Sequence, residues 1–338
     1  MPIKEGGLGI RLISSNADSS YQTSKDITYP LVDKILNQDQ SLPEKNIVEN
    51  KRKSTINALK QSDLDKINDL KSSQSNEMKK LIEQHSQSGS WLGALPLQLY
   101  GFNLNKGEFQ DALCLRYNKR LKNLPAKCPC GADYNITHAL NCHKGGFINA
   151  RHDNIRNMEA KLLKEVCTDV EIEPHLHPVN GGTFHSSANT SDESRLDIRA
   201  RGFWRHSQNA FFDVRVTNPD SASQRNMSLK SVLNKHEKEK KRHYNRRIME
   251  IEHGTFTPLI FTTSGVMGHE CNIFHKALAE KLSLKKGDRY DEVMRYLRVK
   301  ISYLALKSTL MCIRGSRSTF KMHESGCDFE LNLIELGL

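Results

Sequence analysis

The first 88 residues combine a polar composition with apolar positions that recur at roughly helical spacing. Aromatic residues are few here, and Ser, Asn, Gln, Asp and Lys are abundant. The spacing predicts one or two exposed helices. The apolar density is too low for a separate core, which is typical of a linker or of a helical bundle that needs a neighbour. The recurring apolar residues are Ile56, Leu59, Ile67, Leu70, Met78, Leu81 and Ile82.

Beyond residue 148, helical patterns alternate with β-rich runs, which predicts a mixed α/β domain. In this part of the chain, helices are expected at 151–166, 228–253, 271–282 and 290–312, and strands at 195–201, 210–216 and 255–263. A further short helix is expected earlier, at 108–120. The chain is accordingly divided into a polar helical segment (1–88), a cysteine-containing region (89–147), the α/β domain (148–318) and a loose tail (319–338).

Each of the first two predicted strands carries one aspartate. Side chains alternate between the two faces of a strand, so Leu196 and Ile198 point away from Asp197, and Asp213 lies opposite the β-branched residues of its run. The connection 202–209 is short enough for antiparallel neighbours, which brings the two carboxylates together on a polar face. Neighbouring carboxylates favour a bound cation such as Mg²⁺. The alternative is an ordinary amphipathic hairpin with solvated acids.

The helix expected at 228–253 is strongly charged. Lys240 and Lys241 flank its apolar side, with Tyr244 close by, and one of the two lysines is expected to point back at the sheet; which one stays open. The opposite side forms a basic ridge suited to a phosphate backbone, or else an ordinary solvated face. The residues of this ridge are Lys235, Lys238, Arg242 and Arg246.

The helix expected at 151–166 contributes an acid and an anion-binding end. Glu159 borders its apolar stripe and is expected at the rim of the core. Arg151 and His152 lie near the predicted N-terminus, where the helix dipole favours a phosphate; Asp153 is either part of this group or a helix cap. One acid on a helix, two acids on strands and a lysine are the parts of a metal-dependent phosphodiesterase.

A compact group of cysteine and histidine residues precedes this domain. Cys128, Cys130, His138 and Cys142 have the spacing C-x-C-x7-H-x3-C, which supplies the four ligands of a tetrahedral structural zinc ion. Gly131 allows the backbone to turn so that its amides face the sulfurs. The alternative is a set of buried thiols. Because all four positions are filled by the protein, the metal is expected to hold the fold together and not to catalyse.

The overall charge favours an acidic partner. The chain has 50 Lys and Arg residues against 39 Asp and Glu residues, a net charge of +11, which favours polyanions. No run of 18 apolar residues is present and no secretion signal is recognisable, so we expect no membrane association. Eight cysteines in 338 residues do not form a disulfide scaffold. The protein is expected to be intracellular, and nuclear if its substrate is chromosomal DNA.

Taken together, these motifs resemble the restriction-like endonuclease of site-specific non-LTR retrotransposons. Asp197 is followed after fifteen residues by Asp213, and Lys241 is followed three residues later by Tyr244. In that family a cysteine–histidine knuckle precedes an Arg/Lys-His-Asp/Asn motif, which is matched here by residues 151–153. Residues 6–10 are similar to the segment that follows the reverse transcriptase in such elements.

The resemblance implies a restriction-endonuclease-like core of the PD-(D/E)XK type, preceded by a helical segment and a small zinc knuckle. It implies a Mg²⁺-dependent endodeoxyribonuclease that nicks target DNA to prime reverse transcription, with DNA as partner and the element's RNA as a further candidate. Asp197 and Asp213 match the metal ligands, Lys241 the catalytic lysine and Tyr244 an accessory residue.

Two positions depart from the family pattern, and no polymerase motif is present. Leu196 replaces the proline that usually precedes the first aspartate, and Arg215 stands where a lysine usually follows the second. The helix must therefore supply the lysine. The alternative function is a catalytically inactive, zinc-containing remnant that binds nucleic acid.

Overall fold

The computed structural model describes residues 1–10, 13–179 and 188–317. The tail predicted at 319–338 lies outside the described residues. The chain divides into two compact units, the first being Met1–Ser86 and the second beginning at Gln87.

The first unit is helical and sparsely packed. It comprises α1 (Ile13–Leu36), α2 (Lys45–Ser72) and most of α3 (Asn76–Ser88). The sequence pattern predicted only one or two helices, and α1 is the one it missed. The low apolar content has the expected consequence, because no residue of α2 is buried.

The second unit is built around a four-stranded mixed sheet. Its strands are β1 (Thr168–Ile172), β2 (Ile198–Arg201), β3 (Asn209–Thr217) and β4 (Thr255–Thr262), in the order β1-β2-β3-β4. The first three strands are antiparallel, and β4 runs parallel to β3. The chain is therefore α/β, and the predicted β2–β3 hairpin and the β4 strand are confirmed. Strand β1 was missed because its polar, largely exposed sequence lacks a buried face.

Helices cover both faces of this sheet. On one face, α6 (Phe147–Val166), α8 (His269–Lys286) and α9 (Tyr290–Arg314) share a core with the inward residues of β3 and β4. On the other face lies α7 (Leu229–Glu250). Its buried residues are Leu229, Val232, Leu233, His236, Glu237, Arg247 and Ile248.

Adjacent residues of β3 show why two covered faces are needed. Phe212 packs with α6 and α8 on one side, whereas Phe211 packs with Ile248 of α7 on the other. Burial of each such side chain contributes about 1.5–3 kcal/mol. The alternative of an ordinary hairpin with solvated acids is therefore wrong, because α7 covers the face that carries Asp213. The chain also bends at residue 197, directly before β2. Leu196 and Ile198 therefore belong to different hydrophobic clusters and do not share one face of the strand, although the sequence had predicted that they would.

The shorter helices begin at side-chain caps. Asn105 accepts a hydrogen bond from the Glu108 amide at the start of α4 (Lys106–Arg116), with the reciprocal bond present. Asn135 accepts from the His138 amide at the start of α5 (Ile136–Asn141). Such caps satisfy backbone donors that a first helical turn leaves free. Within the described ranges no helix has the length and apolar character that a membrane crossing requires.

Candidate functional site

The two aspartates meet at the start of β2. Asp197 directly precedes Ile198, which pairs with Phe212, and the Asp197 carboxylate accepts a hydrogen bond from the amide of Val214, the residue after Asp213. The charge of Asp197 also contributes to raising the pKa of Asp213, as expected of near neighbours. The sequence prediction that these two carboxylates approach each other therefore agrees with the geometry.

Asp213 is a buried acid. Only 5% of the residue is exposed, because α7 lies over this face of the sheet. Burial raises its pKa to about 6, and the charge of Asp197 acts in the same direction. The opposing influences are Lys240, whose Nζ lies 2.5 Å from Asp213 Oδ2, and the charge of His152. The carboxylate thus retains a raised proton affinity despite these cationic neighbours.

Asp197 is held from two sides. Its Oδ2 accepts a hydrogen bond from the backbone amide of Val214 at 2.6 Å, and His152 Nε2 lies 3.2 Å from the same oxygen. The amide comes from the residue directly after Asp213. The orientation of one carboxylate is therefore fixed by the strand that carries the other.

His152 contacts two carboxylates and does not lie at the N-terminus of its helix. Its Nε2 donates to Asp197 and lies 3.1 Å from the Val214 carbonyl, and Nδ1 lies 3.3 Å from Asp153 Oδ1. Burial alone would lower its pKa, but the hydrogen bonds and charges of the two aspartates outweigh this and raise it to about 9. Because α6 begins at Phe147, Asp153 does not cap it; the cap position is Gly146.

The structure distinguishes the two candidate lysines. Lys240 points at Asp213 and lies 5.7 Å from the ring centroid of Tyr244. Lys241 points away, with its Nζ 2.5 Å from Glu270 Oε1 at the start of α8. Placement of Lys241 at the carboxylate pair is therefore wrong, because neighbouring helical positions diverge by about 100°. Tyr244, which packs against Phe256, flanks the lysine that does reach the pair.

Glu159 lies in the core and not at its rim. It is fully buried, and its Oε1 accepts from His275 Nε2 at 2.9 Å. His275 Nδ1 lies 2.9 Å from the carbonyl oxygen of Cys271, and the pKa of His275 is raised because Glu159 outweighs the effect of burial. The expected rim position is wrong because α8 and α9 cover this side of α6. The contacts of Glu159 are with α8, and none of them is with Asp197 or Asp213.

The predicted nucleic-acid contacts divide into exposed and buried residues. The α7 ridge is exposed throughout, on the side of the helix away from the sheet; within it, Arg246 pairs with Glu250 at 2.7 Å. Arg151 is only 3% exposed and donates to the Leu140 carbonyl at 3.2 Å, so the expectation that it contacts phosphate is wrong. The exposed residues of the ridge are Lys235, Lys238, Arg242 and Arg246.

A polar network that sequence reasoning missed holds α7 against the end of β3. Arg215 donates a hydrogen bond to Glu239 Oε2 at 3.0 Å, and Glu239 is the residue directly before Lys240. His236 is buried beside Thr217 and Gln224, with its Nε2 2.8 Å from the Gln224 amide nitrogen. The sequence feature that could have revealed this network is the helical spacing of positions 236, 239 and 240, which places them on the same side of α7. Arg215 therefore contacts the helix and not the aspartates.

The cysteine–histidine group converges on one point. The four ligand atoms of Cys128, Cys130, His138 and Cys142 lie within 4.8 Å of one another. Cys128 Sγ lies 3.8 Å from Cys142 Sγ, and Cys130 Sγ lies 3.3 Å from His138 Nε2. Zinc–ligand bonds of about 2.0–2.3 Å give tetrahedral edges of roughly 3.3–3.8 Å. The residues thus fit a metal such as zinc.

The local backbone accounts for this convergence. Gly131 adopts a φ of 93°, which L-residues with a side chain rarely adopt, and its amide donates to the Cys128 carbonyl at 2.8 Å. The pKa of Cys130 is lowered because the Ala132 amide hydrogen-bonds to its sulfur. Burial raises the pKa of Cys128. The sequence predicted that Gly131 lets the backbone turn so that amides face the cysteine sulfurs. The hydrogen bond from the Ala132 amide to the Cys130 sulfur agrees with that prediction.

Comparison of the sequence with protein-family models and with curated proteins finds no match. Functional assignment therefore depends on the chemistry of two sites. One is a Cys₃His group suited to holding a metal, and the other is a pair of facing carboxylates with an ammonium group beside the more buried one.

Proposed function

We propose that the second unit is a metal-dependent endodeoxyribonuclease derived from a non-LTR retrotransposon, which nicks target DNA for target-primed reverse transcription. The observation that carries this proposal is the meeting of Asp197, Asp213 and Lys240 at the start of the β2–β3 hairpin. Facing carboxylates with an adjacent ammonium group are suited to binding a divalent cation and stabilising a developing negative charge.

The order of elements supports the proposed nuclease core. Helix α6 is followed by three antiparallel strands, then by α7 and by β4, which returns parallel to β3. This arrangement is compatible with a restriction-endonuclease-like core. It also explains why the acids come from a hairpin and the lysine from the helix that covers it.

The carboxylate pair fits Mg²⁺ on chemical grounds. Asp213 is buried with a raised pKa, so an added cation would stabilise its ionised form. Asp197 is oriented by the Val214 amide and has the more exposed side chain of the two. When bound, Mg²⁺ would polarise the scissile phosphate and favour ionisation of a water molecule.

The protein's own residues have distinct roles in this proposal. Lys240 stabilises the developing charge on the phosphate or orients the attacking water, and the ring of Tyr244 limits where its amine can go. Arg215 and Glu239 fix the neighbouring part of α7 on β3. The exposed ridge of α7 supplies cations to the DNA backbone. The Cys₃His group holds a structural zinc ion.

One observation favours the alternative of a binding module without chemistry. Both carboxylates already have a cationic neighbour, Lys240 for Asp213 and His152 for Asp197. Such pairing can serve the fold alone. That alternative predicts salt-sensitive DNA binding that does not depend on Asp197 and is accompanied by no cleavage.

Plasmid nicking distinguishes the two functions. Wild-type protein with Mg²⁺ is expected to convert supercoiled plasmid to the nicked form, and chelation by EDTA should stop the reaction. Asp197→Ala should lose nicking by at least about 100-fold, while its affinity for the same DNA stays within a few fold. Equal nicking by wild type and variant would contradict the assignment. Binding by both without nicking would support the inactive module.

A further inference from the structure

Two buried arginines meet the C-terminal end of α5, the helix that contains His138 and is directly followed by Cys142. A helix of six residues leaves its last carbonyl groups without partners inside the helix. In α5 these groups are satisfied from outside, because Arg151 Nη1 donates to the Leu140 carbonyl at 3.2 Å and Arg317 Nη2 to the Ala139 carbonyl at 3.1 Å. Cations at a helix C-terminus also oppose the helix dipole.

Among the described residues, neither arginine has an acidic partner. Arg151 is 3% exposed and Arg317 is 6% exposed, and across residues 1–10, 13–179 and 188–317 neither forms an ion pair with a carboxylate. The remaining partners of Arg151 are uncharged; its Nη1 lies 3.9 Å from Cys312 Sγ. Burial of an unpaired charge is costly, so a counter-charge is expected nearby.

A zinc ion in the knuckle would provide that counter-charge. Three thiolates, one neutral imidazole and Zn²⁺ sum to a single negative charge. This charge would be carried by thiolates that precede and follow α5 and by His138 within it, and α5 is the element to which both arginines donate. Outer hydrogen bonds of this kind commonly tune metal affinity.

Arg151 is also adjacent to the carboxylate site. The next residue, His152, contacts Asp197 through Nε2 at 3.2 Å. Two consecutive residues of α6 therefore contact two different sites. Arg151 contacts α5 in the Cys₃His region, and His152 contacts Asp197 of the carboxylate pair.

We propose that Arg151 is a positioning residue that couples metal binding in the Cys₃His group to the placement of His152 and Asp197. Its link to the metal stands on its own, whereas its effect on catalysis rests on the proposed nuclease function. With metal bound, Arg151 has both its carbonyl acceptor and its counter-charge. Without metal, the first turns of α6 lose this anchor, and His152 loses its fixed position.

Zinc affinity tests the first link. The full-length Arg151→Met variant should bind zinc about 10- to 100-fold more weakly than wild type in competition with a chromophoric chelator. The matched control is Arg247→Met, which also removes a buried arginine that donates to backbone carbonyls, here those of His177, Asn189 and Ser191. The control should destabilise the fold without changing zinc affinity. Wild-type affinity in Arg151→Met would overturn the proposal.

A second measurement needs no variant and so does not depend on Arg151→Met folding. Zinc is removed from wild-type protein by chelation, and hydrogen exchange is followed at the amides of residues 150–156 and, as reference, of residues 296–303 in α9. The proposal expects at least about tenfold faster exchange at 150–156 and a smaller change in α9. Unchanged exchange at 150–156, or an equal acceleration in both segments, would overturn it.

Failure of the two proposals can be told apart. If wild-type protein never nicks DNA, the nuclease proposal fails, and the zinc-affinity and exchange results still decide whether Arg151 links the metal to α6. If wild type nicks DNA and Arg151→Met binds zinc normally, the nuclease proposal stands and the coupling is refuted.

Discussion

Asp213 is a buried acid whose ionisation lowers the stability of the fold. Its raised pKa of about 6 means that the folded protein holds the proton more tightly than the unfolded chain, where an aspartate titrates near 4. Ionisation at neutral pH therefore lowers the free energy of unfolding, even with Lys240 as neighbour. Such a penalty is typical of a site retained for its chemistry.

We expect Asp213→Asn to stabilise the protein more at pH 7 than at pH 4.5. Between pH 4 and 6 the native state binds more protons than the unfolded state, so the wild-type free energy of unfolding falls as pH rises. A two-unit shift corresponds to roughly 2–3 kcal/mol across this window. Urea unfolding of both proteins at the two pH values measures the difference. An effect of Asp213→Asn that does not vary with pH would show that Asp213 titrates normally.

His152 also makes stability fall as pH rises, but in a higher pH window than Asp213. Its pKa is raised to about 9, so the interaction with Asp197 stabilises the fold fully below about pH 6.5, the usual value for histidine, and is lost as pH rises through 9. We expect His152→Gln to destabilise the protein by roughly 1–3 kcal/mol at pH 6, and by much less at pH 9.5. Thermal unfolding at the two pH values checks this, and an equal loss at both would contradict it.

At the scale of elements, helix α7 has two chemically different sides. Its inner side buries Leu229, Leu233 and Ile248 and presents Lys240 to the carboxylates, whereas its outer side forms the basic ridge. The two sides are separated by the width of a helix. The ridge is therefore expected to bind DNA backbone phosphates other than the one that is cleaved.

The ridge can be tested through the salt dependence of binding. Changing Lys235, Lys238 and Arg242 together to Gln should lower the slope of log affinity against log salt by about 2–3, since each phosphate contact contributes about 0.9 for duplex DNA. A triple change of Lys51, Lys53 and Lys60 in α2 removes the same charge elsewhere. If both triple variants alter the slope equally, the ridge has no special role.

The sequence predicted elements well where periodicity was strong. The β2–β3 hairpin, β4 and the helices α6 to α9 were anticipated, because apolar alternation or helical spacing marked them. Strand β1 and helix α1 lack that signal. The depth at which Asp213 is buried was not predictable, since the pattern of one strand cannot show how completely a distant helix covers it.

The candidate site was predictable in kind and less so in detail. Short spacing placed Asp197 opposite Asp213, and four ligand-type residues within fifteen positions marked the metal group. Choosing between Lys240 and Lys241 required the orientation of α7 about its own axis. Burial of Arg151 and Glu159 likewise depended on helices far away in sequence.

At the scale of the whole molecule, the Cys₃His group is joined to the α/β core. Tyr134, which lies between its ligands, donates to the Ile313 carbonyl at 2.5 Å near the end of α9, and Arg317 lies over the rings of Tyr134 and Phe147. A structural metal in such a place contributes to folding of the unit as a whole.

Replacement of one metal-ligating cysteine should therefore destabilise the whole second unit and not only the Cys₃His region. We expect Cys142→Ser to lower the free energy of unfolding of the zinc-loaded protein by roughly 3 kcal/mol or more. Cys167→Ser, a cysteine outside the group, should change it by about 1 kcal/mol or less. Calorimetry of both variants measures this. Similar melting of Cys142→Ser and wild type would argue against a structural metal.

The most direct measurement of the central claim compares two adjacent lysines. Lys240→Met and Lys241→Met remove the same charge from the same helix, but only Lys240 reaches the carboxylate pair. The account predicts that Mg²⁺-dependent nicking falls by about 100-fold or more in Lys240→Met and stays within a few fold of wild type in Lys241→Met. Nicking that survives loss of Lys240 and disappears with Lys241 would contradict it.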